Sequence, residues 1–156
     1  MNIRRVLGAG LVASIIMGMI EMIYEAVAGA GFWSPVVFIG ATVLRGLQAV
    51  PVPVSFDPGG VVLGLMGHMM NSVIFGLIFA TLFSRTAPTR GALVGRGVVY
   101  GLVIFGVMWY AVLPVIDPVM LKLNGTVFAI SHIMWGAALG VIVPQSSRVS
   151  AGLQSA

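Results

Sequence analysis

Bulky apolar positions run along the chain in four long blocks, residues 6–30, 60–83, 97–116 and 126–143, and polar positions gather between them. A helix rises about 1.5 Å per residue and a bilayer core takes roughly 20 apolar residues. Each block therefore predicts a membrane-spanning helix, the last near the lower limit of length. Asp57-Pro58 reads as an N-cap with a first-turn proline before the second span, and Asn124-Gly125-Thr126 marks the start of the fourth. "SPVVFIGATVLRGLQ" (34–48) opens with Ser-Pro and holds three or four turns of mostly apolar residues, too few to span. It predicts an interfacial or re-entrant helix. "PVPVSFDPGG" (51–60) returns the chain to the membrane as an extended, proline-restricted segment.

Composition sharpens this picture. Residues are 59% hydrophobic and 8% charged, with mean hydropathy +1.09, against about 25% charged in soluble domains. The fold class is thus an all-α membrane protein, a four-helix bundle forming one domain over residues 1–156. No cysteine is present, which removes disulfides, thiolate metal sites and thiol catalysis. The net charge of +4 is no nucleic-acid footprint, because the basic residues sit between apolar spans. Arg4, Arg5, Arg85, Arg90, Arg96 and Arg148 flank one side of the spans, and only Arg45 and Lys122 the other. By the positive-inside rule both termini are cytoplasmic. "MNIRR", the run 6–20 and "AVA" at 26–28 also imitate a secretory signal peptide, whose cleavage would leave three spans.

An internal likeness weighs against that cleavage. "GHMMNSVIFG" (67–76) aligns with "SHIMWGAALG" (131–140), pairing His68 with His132, and "GLVASIIM" (10–17) aligns with "GLVIFGVM" (101–108). "SPV" (34–36) and "DPV" (117–119) follow the first helix of each pair. The shared order predicts a duplicated two-helix unit about an axis along the membrane normal. Both histidines then descend from the outer surface to one depth, about 10–12 Å at the helical rise.

Glu21 lies at roughly 13 Å by the same arithmetic, with Glu25 one turn above it. Ser14, Gly18, Glu21 and Glu25 share one helix face; His68, Asn71 and Ser72 share another; His132, Gly136 and Gly140 a third. Small and polar faces belong inside a bundle, and intramembrane ionisable clusters are functional hypotheses by default. The candidate site is therefore Glu21, Glu25, His68 and His132, supported by Asn71, Ser72 and Arg45. Two His and one Glu match a three-ligand transition-metal set with an open position; a proton is the other candidate occupant. Haem b, held by the paired histidines with Gly136 and Gly140 making room, is a further cofactor candidate. The rival reading is a structural or assembly subunit in which Glu21 pairs with the histidines only to clamp helices.

Other features read more plainly. Met66, Met69, Met70 and Met134 are apolar filling rather than copper ligands. Trp33, Trp109, Tyr110 and Trp135 suggest an aromatic belt, and Tyr100 marks the opposite boundary. Arg45 either pairs with Glu25 or anchors the interface, and Asp117 before Pro118 caps a turn. Gly97 and Gly101 form a small-residue face that allows a homo-oligomer or a membrane-complex partner. No phosphate-binding glycine loop and no nucleophile elbow are present.

"GHMMNSVIFGLIFA", an arginine-bearing loop, a glycine-rich third span, a proline-containing turn and "SHIMWG" together resemble the YagU-like group of small bacterial inner-membrane proteins. The likeness covers about the last 90 residues, with His68 and the pair His132 and Trp135 as its most specific elements. It implies fold and location, not an activity.

Overall fold

The structure, a computed structural model, describes residues 2–145. Arg148, one of the arginines used for orientation, lies outside the described residues. Among the described residues, four helices are long and apolar enough to cross a membrane: Ile3–Ala28, Pro58–Phe83, Arg90–Ile116 and Gly125–Ile142. They correspond to α1 (Ile3–Ala28), α3 (Pro58–Phe83), α4 (Arg90–Val107) with its continuation, and α6 (Gly125–Ile142). α4 passes through a π-helical turn, Met108–Val112, into the short α5 (Leu113–Ile116). No strand occurs among the described residues.

The caps explain most of the boundaries. Asp57 accepts from Gly60 N (2.6 Å) and Asn124 from Thr126 N (3.0 Å), as their positions predict. The third span begins seven residues earlier than its apolar run, because Thr89 caps Ala92 N (3.1 Å) and starts α4 at Arg90. Arg90 and Arg96 are helical residues, not loop residues. Arg90 reaches across to the carbonyls of Gly140 (3.2 Å) and Val143 (2.6 Å), the orphan acceptors at the end of α6. α1 stops at Gly29, whose φ of 92° only glycine adopts freely.

The segment 34–48 is not one interfacial helix. α2 (Ser34–Gly40) is a two-turn piece, followed after a turn by a 3₁₀ stretch, Arg45–Ala49. α2 is buried: Val36, Val37 and Phe38 are at most 2% exposed. Its backbone reaches α3 where two glycines leave space, with the carbonyl of Val36 over Gly64 and Gly40 against Gly60. The chain therefore dips into the bundle instead of lying along its surface.

α1 occupies the middle, packed on α3 and α6; α6 packs on α4, and α2 on α3. α3 and α4 scarcely touch. Outward positions on α3 repeat every four residues (Val62, Met66, Met70, Ile74, Ile78, Leu82), all of them exposed. Small and polar side chains line the inside, the arrangement lipid demands. Met66, Met70 and Met134 are lipid-side filling.

Gly97 and Gly101 are not a free dimerisation face. A side chain at Gly97 would strike the Gly136 carbonyl, and one at Gly101 the His132 carbonyl. These glycines are consumed in the α4–α6 contact.

Candidate functional site

Five of the polar side chains singled out by sequence, Glu21, His68, Asn71, Ser72 and His132, line two adjoining voids. The larger is a chamber of about 120 Å³, lined by His68, Asn71 and Ser72 from α3 and by Phe128, His132 and Trp135 from α6. Thr42 and Asp117 line it as well. The smaller, about 20 Å³, lies between Glu21, Gly18 and His68. That is room for about one water molecule.

The histidines are held by backbone carbonyls, not by Glu21. His68 Nε2 lies 2.9 Å from Ser14 O on α1. His132 Nδ1 lies 2.7 Å from Phe128 O, one turn back on its own helix. A carbonyl only accepts, so in the neutral ring the N–H sits on Nε2 of His68 and on Nδ1 of His132. Nδ1 of His68 and Nε2 of His132 are then lone-pair nitrogens.

Glu21, 3% exposed, accepts from Ser131 Oγ (2.7 Å) through Oε1, and its Oε2 has no partner. The expected Glu21–histidine clamp is not formed, because Ser131, beside His132 on α6, meets the carboxyl first. Glu25 accepts from Asn124 N (3.3 Å) at the entry to α6. Arg45 does not reach it; its Nη1 donates to Ile116 O (2.7 Å).

No three His, Asp or Glu side chains among the described residues come close enough to share a metal ion. The set of two His and one Glu is thus not assembled: Glu21 turns to Ser131 and the smaller void, and Glu25 to Asn124. Haem does not fit either. Pockets for even drug-sized ligands run about 300–1,000 Å³, against 120 Å³ here. Gly136 and Gly140, expected to make room for it, face the α4 backbone at Gly97 and Val94.

Ser72 joins three helices, donating to Gly10 O on α1 (2.7 Å) and accepting from Trp135 Nε1 on α6 (2.7 Å). Trp135 is 3% exposed and belongs to the core, not to an aromatic belt. Tyr100, stacked on it at 5.8 Å, donates to Phe75 O (3.1 Å).

Sequence reasoning missed Asp117 as a chamber residue. Its side chain is buried and caps no turn; it accepts from Thr42 Oγ1 (2.7 Å) and from Gln48 Nε2. Gln48 Oε1 accepts in turn from Val119 N (3.1 Å). A lone aspartate in an apolar loop opposite the lone Arg45 was the available signal. Burial raises the Asp117 carboxyl above its ordinary value, opposed by the Thr42 and Gln48 hydrogen bonds and by the Arg45 charge. A carboxyl that binds its proton more tightly folded than unfolded stabilises the fold fully below its unfolded value. That contribution is lost as pH rises through the folded one. Thermal midpoints in detergent should therefore fall for the wild type relative to Asp117→Asn as pH rises through and above the ordinary carboxyl range. A wild-type midpoint that rises relative to Asp117→Asn over that range would contradict the assignment.

No family model, curated protein or solved structure matches this chain.

Proposed function

We propose that this is a multi-pass inner-membrane protein that binds a proton or a small hydrogen-bond-donating ligand in the chamber between α3, α4 and α6. The observation that carries this reading is the pair of imidazoles lining one cavity, each with its N–H tied to a carbonyl and its other nitrogen left as a lone pair. Two lone pairs beside one chamber take up protons or donors. A transition metal ion would need ligands beyond these two. The arginine asymmetry supports placing the α2 end, and with it the chamber, toward the periplasm. The YagU-like resemblance supports the same membrane, and the paired order α1–α3 and α4–α6 supports the duplicated unit. α1 is retained in this reading, since it supplies Ser14 O and Glu21.

A second reading has its own support: His68–Ser14, Ser72–Gly10, Trp135–Ser72 and Glu21–Ser131 each join two helices. On that view the polar layer is a clamp in a structural or assembly subunit.

The chain has two histidines, so ¹⁵N-histidine NMR in lipid bilayers separates the readings. The expected spectrum holds opposite neutral tautomers, Nε2–H for His68 and Nδ1–H for His132, assigned by losing one set in His132→Phe. Saturating 4-methylphenol, a small hydroxyl donor, should shift at least one of the two unprotonated nitrogens. If those nitrogens stay unmoved, the clamp reading stands and the ligand site is refuted.

A further inference from the structure

We infer that the chamber takes its ligand sideways from the bilayer, between α3 and α4, and that the ligand is a tailed single-ring phenol or quinol. Its ring hydroxyl donates to a free ring nitrogen, His68 Nδ1 or His132 Nε2, and its apolar tail leaves past Ile104 into lipid. This rests on the histidine reading above and adds a route and a ligand class to it.

The route follows from helix pairing. α3 packs on α1 and α2, and α4 packs on α6, so the two helices that flank the chamber leave a seam between them. A short loop joins α3 and α4 at one end, and the Tyr100–Phe75 bond (3.1 Å) ties them near it. Past that tie, His68 and Asn71 on one side and Ile104 and Met108 on the other become chamber walls. Met108 also begins the π-helical turn that reshapes α4 at this level. Such turns recur at functional sites.

Asn71 is a second, independent sign. It lines the chamber, yet it is exposed, on a helix whose neighbouring outward positions Met70 and Ile74 face lipid. A primary amide with two donors and an acceptor is costly at a hydrocarbon boundary. It fits the rim of an opening through which a polar head passes.

The ligand class follows from the walls. Lone-pair nitrogens require a donor, hence a hydroxyl head. Phe75, Phe128 and Trp135 present aromatic surface for a flat ring. The chamber of about 120 Å³ is close to the roughly 150 Å³ that admits a benzene ring, so the head is one ring and the tail stays outside.

The test uses the full chain in lipid nanodiscs, with ¹⁵N-histidine shifts as the reporter and ligands dosed by mole fraction in the bilayer. In the wild type, 4-nonylphenol should shift at least one of the two unprotonated nitrogens saturably, and nonylbenzene, with the same tail but no hydroxyl, should shift neither. Ile104→Trp narrows the seam and should weaken 4-nonylphenol at least tenfold, and by more than it weakens 4-methylphenol. Val103→Trp, on the lipid side of the same helix, should change neither. The retained tautomer pattern reports an intact chamber in both variants. Equal 4-nonylphenol response in Ile104→Trp overturns the lateral route and leaves the histidine reading standing. A nonylbenzene response equal to the phenol's overturns hydroxyl recognition, and silence from both phenols in the wild type overturns the site itself.

Discussion

Gly136→Leu is expected to unfold the bundle more readily than any substitution in the polar layer. A Cβ at Gly136 falls on the Gly97 carbonyl, and one at Gly97 falls on the Gly136 carbonyl, so the overlap is reciprocal and entirely with backbone. No rotamer relieves it; α4 must move away from α6. That movement breaks the Arg90 bonds to Gly140 and Val143 and draws Gly101 off His132. Overpacking against side chains costs about 1–3 kcal/mol. Against two rigid helices we expect on the order of 4 kcal/mol, in the range reserved for severe lesions. Gly95→Leu is the control: it is the same substitution on α4, at an exposed glycine with no atom within 4 Å of an added Cβ. It should stay within about 0.5 kcal/mol of wild type. The measurement is reversible unfolding in mixed micelles at increasing SDS. A Gly136→Leu midpoint equal to that of Gly95→Leu would mean that α4 and α6 do not meet at these glycines.

That contact also explains why a chamber exists at all. Glycines draw α4 onto α6, and others draw α2 onto α3 and α1 onto α3, where Gly10 lies against Ser72 and Val73. Each helix of the α3–α4 seam is pulled toward a different partner. The seam therefore stays open, while Tyr100, Ser72 and Trp135 hold its lower end closed through hydrogen bonds that lipid cannot supply. Polar groups here fix the walls, and the two imidazoles look into what the walls leave.

The four spans were legible because lipid imposes length and hydropathy on each helix separately, and the Asp57 and Asn124 caps because capping is local. Thr89 was not, since the arginines after it read as loop although they complement the end of α6. The candidate site was legible in part from helix faces: His68, His132, Asn71 and Ser72, all expected to face inward, line one chamber. Their partners were not. Helical spacing says which face a side chain occupies, but whether Glu21 meets a histidine or Ser131 depends on the rotation of two helices about their axes. Asp117 was hidden for a related reason. It comes together with Thr42 and Gln48 only once the 34–48 segment breaks at Gly40 and folds inward, a contact made across about 70 residues of chain.

The break at Gly40 yields the second large expectation. Gly64→Leu should eject α2 from the bundle without unfolding it. A Cβ at Gly64 lands on the Val36 carbonyl, and α2 is a two-turn helix with few bonds of its own, so it should yield before the 26-residue α3 does. The chain has no cysteine, so a single Val37→Cys is a clean reporter at a position 0% exposed. In the wild-type background this thiol should resist a polar maleimide. Combined with Gly64→Leu, it should react within about tenfold of a Val43→Cys reference, which stands 65% exposed on the same segment. Protection that persists beside a native SDS midpoint would show α3 giving way instead. The expected ejection reaches the chamber directly: Thr42 and Gln48 follow α2 in the chain, and without them the Asp117 carboxyl loses its two side-chain donors. The pH-dependent gap between wild type and Asp117→Asn should therefore disappear in the Gly64→Leu background, which ties the buried short helix to the electrostatics of the cavity it covers.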